Sequence, residues 1–123
     1  MRIAVPTYRG GLDDFVCEHF GRAETFTIYD TETGEVEIVR NTSEHFGGFL
    51  KPPELLRSKN VDVVVCNGMG MKAIAMFKSY GIKVYMGATG TVREAIKQFL
   101  SGKLFEADES FGCPGKHHHH HWW

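Results

Sequence analysis

Two short stretches of the chain combine side chains that can bind a soft metal. The first is Cys17-Glu18-His19-Phe20-Gly21-Arg22, a polar turn in which a thiol and an imidazole lie two residues apart. The second is Cys66-Asn67-Gly68-Met69-Gly70, where an apolar segment breaks into a glycine-rich turn. Thiolate and imidazole are soft to borderline donors that bind iron, copper, zinc or cluster metals. If the fold brings the two stretches together, they predict a metal or metal–sulfur site.

The glycine-rich turn has three interpretations. Backbone N–H groups of Gly68–Gly70, at a helix N-terminus, favour an anion, and a sulfide-rich cluster is one. Gly68-x-Gly70-x-x-Ala73 also satisfies the minimal dinucleotide-binding pattern, but the next predicted strand ends in Met86-Gly87 and lacks the carboxylate that holds a ribose. A tight strand–helix turn that simply requires glycine explains the residues equally well.

Each candidate ligand also has a purely structural interpretation. The chain has three cysteines and no Cys-x-x-Cys pair, so they do not form a disulfide framework. Each thiol can instead be a small buried hydrophobe. His19 can be a surface residue or a local hydrogen-bond donor. Arg22 can pair with cluster sulfides, or it can form a salt bridge with Glu18 or Glu24.

The second half of the chain has the pattern of a strand–helix–strand–helix unit. Val61–Cys66 is a nearly continuous apolar run, typical of a strand covered on both faces. Apolar residues recur at helical spacing from Gly70 to Tyr80, and a second strand follows at Ile82–Met86. Thr91-Val92-Arg93-Glu94 fits a capping box that opens a helix through Leu100. Short connections of this kind imply a parallel pair of strands.

The first half predicts an antiparallel hairpin beside an N-terminal strand. The strand begins at Arg2, and Phe26–Tyr29 and Val36–Val39 flank a polar turn that contains glycine. Pro52 and Pro53 suit the first turn of a short helix. The order β, β-hairpin, α, β, α, β, α predicts an α/β fold with a mixed five-stranded sheet between helices.

The sheet predicts where the candidate residues meet. Ligands of open α/β sheets bind beyond the carboxyl ends of the parallel strands. Three loops begin there: Pro6–Arg22, Cys66–Gly70 and Gly87–Gly90. His45, just before the first helix, is a further candidate ligand at the same edge.

Composition and charge exclude several classes of protein. The 123 residues are 42% hydrophobic and 24% charged with a net charge of −1, so no basic field indicates nucleic acid. No apolar run has transmembrane length and the N-terminus runs straight into a strand, which predicts a cytoplasmic protein. Catalysis is not expected, because no acid–base pair or nucleophile set is placed at the predicted edge.

Six segments together resemble the dinitrogenase iron–molybdenum cofactor biosynthesis family, which includes NifX and the C-terminal part of NifB. They are Met1–Thr7, Glu18–Ala23, Asn41, Val61–Gly70, Gly81–Tyr85 and Thr91–Leu104. The resemblance implies a ribonuclease H-like, three-layer α/β/α domain over residues 1–105. It also implies non-catalytic binding or carriage of an iron–sulfur or molybdenum–iron–sulfur cluster. The expected partners are the cluster and the proteins that donate or accept it, and the protein is expected to be a monomer or a homodimer. The alternative is a small-ligand or nucleotide-binding module on the same fold, without metal.

Residues 106–123 are expected to form a flexible tail rich in cysteine and histidine. Cys113 precedes a run of five histidines and two tryptophans: His117, His118, His119, His120, His121, Trp122 and Trp123. The tract is either an expression tag or native. If it is native, the imidazoles and Cys113 are expected to bind a divalent metal such as nickel, zinc, copper or iron.

Overall fold

The N-terminal strand is the centre from which the sheet extends in both directions. The computed structural model describes residues 1–41 and 51–107. Its elements are β1 (Arg2–Thr7), β2 (Thr25–Asp30), β3 (Val36–Arg40), α1 (Pro52–Ser58), β4 (Val63–Val65), α2 (Met71–Ser79), β5 (Lys83–Met86), α3 (Val92–Leu100) and β6 (Phe105–Ala107). None of the helices in these residues is long and apolar enough to cross a bilayer.

The sheet is mixed and has the strand order β3-β2-β1-β4-β5-β6. Strands β1, β4 and β5 are parallel, whereas β2 and β3 form the predicted antiparallel hairpin. The predicted sheet of five strands is wrong by one, because β6 pairs antiparallel with the outer edge of β5. The predicted boundary between the domain and the tail, after residue 105, falls inside β6. Of the tail predicted over residues 106–123, residues 108–123 lie outside the described residues.

Helices cover both faces of the sheet, which confirms the expected three-layer architecture. On one face, Leu56 of α1 and Ile74 and Phe77 of α2 are buried in the larger apolar core. On the other, Val92 and Ala95 of α3 belong to a second core. These apolar stripes explain why each amphipathic helix packs on its own side of the sheet.

Phe20 joins the long β1–β2 connection to the larger core. Its ring lies 5.6 Å from the ring of Phe26 on β2 and 5.6 Å, edge to face, from that of Phe77 on α2. Phe20 begins a 3₁₀ turn that ends at Arg22, and it is 1% exposed. The motif His19–Arg22 is therefore fixed to the core by its phenylalanine, while its polar side chains face outward.

Candidate functional site

Three loops meet at the carboxyl ends of β1, β4 and β5. Loop L1 comprises residues 8–24, loop L2 residues 66–70 and loop L3 residues 87–91. They enclose a cleft of about 360 Å³ lined by Tyr8, Phe15, Val16 and Glu18 from L1, Asn67 from L2, and Ala88, Thr89 and Gly90 from L3. The predicted convergence of these loops is confirmed.

Backbone hydrogen bonds fix the loops to one another. In L1, the N–H of Val16 donates to the carbonyl of Gly90 at 2.9 Å, and the N–H of Cys17 donates to that of Pro6 at 2.8 Å. L3 is joined to L2 because the N–H of Ala88 donates to the carbonyl of Cys66 at 3.1 Å. In the opposite direction, the side-chain Nδ2–H of Asn67 donates a hydrogen bond to the carbonyl of Ala88 at 3.2 Å. The cleft is thus preformed by main-chain contacts together with the side-chain bond from Asn67.

Asp14 organises L1 from within. Its Oδ2 accepts hydrogen bonds from the N–H groups of Tyr8, Arg9 and Gly10 at 3.0, 2.7 and 2.8 Å, and its Oδ1 accepts one from Phe15 at 2.8 Å. Partial burial raises the pKa of Asp14, but the four bonds outweigh that effect and hold the pKa below its ordinary value. The carboxylate is therefore ionised and acts as the anchor of the loop.

L1 also supplies the acceptors for the first turn of α3. The N–H of Val92 donates to the carbonyl of Asp14 at 2.9 Å, and the N–H of Arg93 donates to that of Leu12 at 2.9 Å. A helix leaves its first N–H groups without partners inside the helix, so these bonds couple the loop to α3 directly. L1 and α3 are expected to move as one unit.

Both candidate thiols of the described chain lie in the larger core. Cys66 is 0% exposed and Cys17 is 2% exposed, and the Sγ of Cys17 donates to the carbonyl of His19 at 3.3 Å. Tyr8 lies beside the Cys17 thiol, and the pKa of Tyr8 is raised, first by the charge of Cys17 and then by desolvation. The burial of both thiols agrees with the packing interpretation that the sequence left open. It also places Cys17 beneath the wall of the cleft.

His19 and Arg22 are exposed on the outer side of L1. The imidazole of His19 makes no capping hydrogen bond to the 3₁₀ turn that follows it. Among the ion pairs of the described residues, none joins Arg22 to Glu18 or Glu24, so the structural alternative for Arg22 is not formed. Both side chains are available to a ligand that approaches the loop edge.

Helix α2 begins at L2 without a capping side chain. Gly70 is its N-cap residue, and its first turn contains no acidic residue. In the other two helices a glutamate of the first turn accepts the N–H of the N-cap residue, Glu54 that of Lys51 in α1 and Glu94 that of Thr91 in α3. Only α3 has a complete capping box, because the Thr91 hydroxyl also accepts the N–H of Glu94. A Cβ atom built on Gly68 would meet nothing within 4 Å. The N-terminus of α2 therefore adds positive potential and open space to this edge of the sheet.

The structure does not join the candidate ligands into one metal site. Within residues 1–41 and 51–107, no three or more His, Cys, Asp or Glu side chains lie close enough to share a metal ion. The candidates His45, Cys113 and His117–His121 lie outside these residues.

The cleft also contains residues that the sequence patterns did not indicate. Tyr8 and Phe15 expose 45% and 59% of their surface beside Asn67 and Thr89. Asn67 follows Cys66 directly, so its place at the end of a parallel strand was available as a signal. For the two aromatic residues, only their position in the long connection after β1 indicated a role.

Comparisons with known proteins agree with this architecture. An uncharacterized protein of Methanocaldococcus jannaschii is 37% identical over 109 residues, which cover 85% of this chain and 89% of the relative. The apo form of the orange protein of Desulfovibrio gigas is similar in structure, with a TM-score of 0.77 and 34% identity over 86% of this chain and 92% of that one.

A Thermotoga protein, whose assignment as NifB is provisional, has a TM-score of 0.72 and 41% identity over 85% of this chain and 91% of its own. The family model described as dinitrogenase iron-molybdenum cofactor matches residues 1–102. The chain therefore belongs to the dinitrogenase iron-molybdenum cofactor family.

Proposed function

We propose that the protein is a non-catalytic carrier that binds an anionic metal–sulfur cluster at the edge formed by L1, L2 and L3. The observation that carries the proposal is the convergence of these three loops around a preformed cleft, in a chain that belongs to a family of cofactor biosynthesis. The cluster is cargo, either of the iron–sulfur or of the molybdenum–iron–sulfur type. Proteins that donate and accept the cluster are the expected partners.

The charges at the loop edge support an anionic cargo. The exposed guanidinium of Arg22 and the N-terminus of α2 both attract negative charge, and N–H groups of Gly68–Gly70 are suited to sulfide. The imidazole of His19 is an exposed donor for a metal of the cluster. Cys17 and Cys66 serve as ligands only if L1 and L2 open, because both thiols are buried in the closed loops.

In this mechanism the residues bind and shield but transfer no proton. The loop backbones present a rigid surface, and Tyr8 and Phe15 limit access of water to the cleft. The exposed imidazole of His19 positions the cargo from the outer side of L1. Release requires only that a partner compete for the contacts along L1.

Anaerobic reconstitution with iron, sulfide and molybdate tests the proposal. We expect the full chain to acquire a visible chromophore and stoichiometric metal. His19→Ala should weaken cluster retention by about tenfold, the effect of one lost donor contact. A full-length variant with His117–His121 changed to alanine is the matched control for the tail. It should lose the divalent metal that we assign to the tail and keep the chromophore.

Two outcomes would contradict the proposal. One is a chain that takes up no metal or sulfide under these conditions. The other is a chromophore that survives His19→Ala unchanged and disappears with the tail histidines.

One observation favours a second candidate, a small-ligand or nucleotide-binding module without metal. The exposed rings of Tyr8 and Phe15 beside the cleft can stack on a planar ligand. Titration of the metal-free chain with adenosine and guanosine nucleotides tests this alternative. Saturable binding that is lost in Phe15→Ala and retained in His19→Ala would favour it over the cluster.

A further inference from the structure

Loop L3 is held by hydrogen bonds from three directions. The N–H of Gly87 donates to the carbonyl of Asn67 in L2 at 3.1 Å, and the carbonyl of Gly90 accepts the N–H of Val16 in L1 at 2.9 Å. Between these two attachments lies Thr89, whose main chain is bonded neither to L1 nor to L2. Its hydrogen bonds go instead to the helix that follows the loop.

A single side chain of α3, that of Gln98, holds the main chain of Thr89. The N–H of Thr89 donates to the Oε1 of Gln98 at 3.1 Å, and the Nε2 of Gln98 donates to the carbonyl of Thr89 at 3.1 Å. No other group in the described residues hydrogen-bonds to this N–H or carbonyl. A carboxamide can accept and donate at once in this way. We call the two bonds the Gln98 clamp, and they set the position of Thr89 within L3.

Thr89 also brings a hydroxyl group to the cleft. The residue is exposed and lines the cleft wall. Within residues 1–41 and 51–107, its hydroxyl makes no hydrogen bond. A hydroxyl carries one donor hydrogen, so this group can bind an acceptor that enters the cleft.

The other polar side chains of the cleft are less suited to an anion. The Tyr8 hydroxyl lies beside the Cys17 thiol and the N–H of Glu18. The carboxylate of Glu18 can only accept hydrogen bonds, and it repels negative charge. One N–H of the Asn67 carboxamide already donates to the carbonyl of Ala88. An anion in the cleft therefore finds its hydroxyl donor on the L3 wall.

We propose that Thr89, positioned by Gln98, donates a hydrogen bond from its hydroxyl to a sulfide or oxo group of the cargo. The inference rests on the proposed function, because it requires an anionic cargo at the three-loop edge. Hydrogen bonds to a charged acceptor are stronger than those between neutral groups. Because the Gln98 clamp orders Thr89 before the cargo arrives, binding does not have to order that part of L3.

Amide hydrogen exchange of the full chain without cargo tests the Gln98 clamp. We expect the Thr89 amide to exchange about tenfold faster in Gln98→Ala than in the parent, with the amides of β4 and β5 unchanged. Lys97→Ala is the matched control. It truncates an exposed neighbour on the same helix whose side chain makes no hydrogen bond or ion pair in the described chain. Its Thr89 amide should exchange as in the parent.

Gln98→Glu distinguishes the loss of a hydrogen bond from a loss of packing. At about pH 7 the new carboxylate can accept the Thr89 N–H but cannot donate to the Thr89 carbonyl, so the protection factor of the Thr89 amide should fall. Below about pH 4 the protonated carboxyl gains an O–H donor and should restore the protection factor of the parent at the same pH. Equal protection factors in the parent, Gln98→Ala and Gln98→Glu at every pH would overturn the positioning role.

Release of the cargo to a chelator, after anaerobic reconstitution with iron, sulfide and molybdate, tests the hydroxyl. Thr89→Val removes the hydroxyl at nearly constant shape and should release the cargo about tenfold faster than the parent. Thr89→Ser keeps a hydroxyl and should release it at the rate of the parent. Gln98→Ala should also accelerate release. Urea unfolding of both Thr89 variants should match that of the parent, because the residue is exposed.

The possible failures of the release experiment differ in what they contradict. If the parent takes up the cargo and Thr89→Val releases it no faster, the inference is overturned and the proposed function stands. If Thr89→Ser releases the cargo as fast as Thr89→Val, the hydroxyl is not the contact and the inference is again overturned. A parent that takes up no cargo overturns both the proposed function and the role of the hydroxyl.

Discussion

Asp14 links four backbone N–H groups of L1 to a single carboxylate. It does not line the cleft, but Tyr8 and Phe15, whose N–H groups donate to it, do. The hydrogen bonds to Asp14 therefore determine the positions of the aromatic rings of Tyr8 and Phe15. A position of this kind controls binding through the shape of the loop and not through contact with the ligand.

We predict that Asp14→Ala lowers the free energy of unfolding by about 2 kcal/mol, because four N–H groups lose their acceptor and only part of that loss is recovered from water. Asp13→Ala is the matched control, since it removes the same charge from the residue directly before Asp14. The Asp13 side chain is 89% exposed and makes a surface ion pair with Arg93 at 3.4 Å, so its loss should change stability by less than about 0.5 kcal/mol. Urea unfolding of both variants measures the difference, and equal effects would refute the anchoring role.

Sequence patterns located the loops of the candidate site better than its side chains. The thiols of Cys17 and Cys66 were candidates by chemistry, but chemistry does not reveal that each is covered by the core. The exposure of His19 follows from the burial of its neighbour Phe20, which occupies the space between β2 and α2. Burial of this sort depends on contacts between residues far apart in the chain, and no local spacing encodes it.

A capping box at the start of α3 restricts which residue can precede the helix. The Thr91 hydroxyl accepts the N–H of Glu94 at 3.2 Å, and the Glu94 carboxylate accepts the N–H of Thr91 at 2.9 Å. The preceding Gly90 has a φ of +86°, and a Cβ atom there would collide with the Glu94 carboxylate. Glycine at this position is required both by the backbone conformation and by the capping box.

We predict that Gly90→Ala destabilises the fold by about 2 kcal/mol, because alanine is strained at positive φ and would displace the capping carboxylate. The comparison for stability is Gly68→Ala, whose backbone does not have a φ in the left-handed range and whose added Cβ meets nothing within 4 Å. That substitution should cost less than about 0.5 kcal/mol. Thermal unfolding of the two variants distinguishes them. A similar loss of stability in both would contradict the requirement for glycine at position 90.

Elements were predictable where their periodicity extended over several residues. The hairpin, α1 with its two prolines and α3 with its capping box are all present as expected. Strand β6 was missed because it has three residues, of which only Ala107 is buried, so its sequence contains no usable alternation. Its existence depends on the free edge of β5, which is a property of the assembled sheet.

In the whole molecule, one charged network ties together the ends of elements at the far side from the cleft. Arg2 of β1 contacts Glu37 of β3 at 2.9 Å and Asp30 of β2 at 3.9 Å. Lys59, just after α1, contacts Glu37 at 3.2 Å, and its carbonyl accepts the Arg2 Nε–H at 2.8 Å. The hydrogen bond from Arg2, followed by that from Lys59, holds the pKa of Glu37 below its ordinary value.

A lowered carboxyl pKa gives stability that is complete above the unfolded pKa and is lost as the pH falls through the folded pKa. We therefore predict that Glu37→Gln reduces stability at about pH 7, by less than about 1 kcal/mol because the side chain is 42% exposed. Its stability should then fall less steeply than that of the parent between about pH 5 and about pH 3.

Thermal unfolding across this pH range measures the effect. Glu35→Gln is the control, because Glu35 is exposed and takes part in no ion pair of the described chain. Its pH profile should run parallel to that of the parent. A parallel profile for Glu37→Gln as well would refute the role of the network.

The return of β6 along β5 also determines how the protein is oriented when it is attached to a solid support. The described chain ends at Ala107, at the amino end of the parallel strands, while L1, L2 and L3 occupy their carboxyl end. A sensor chip that captures the molecule by a linker joined at Ala107 therefore leaves the three-loop edge turned toward the solution. Attachment at that point is a suitable format for measuring what binds at the three-loop edge, whereas a tether introduced in L1 would obstruct the same edge.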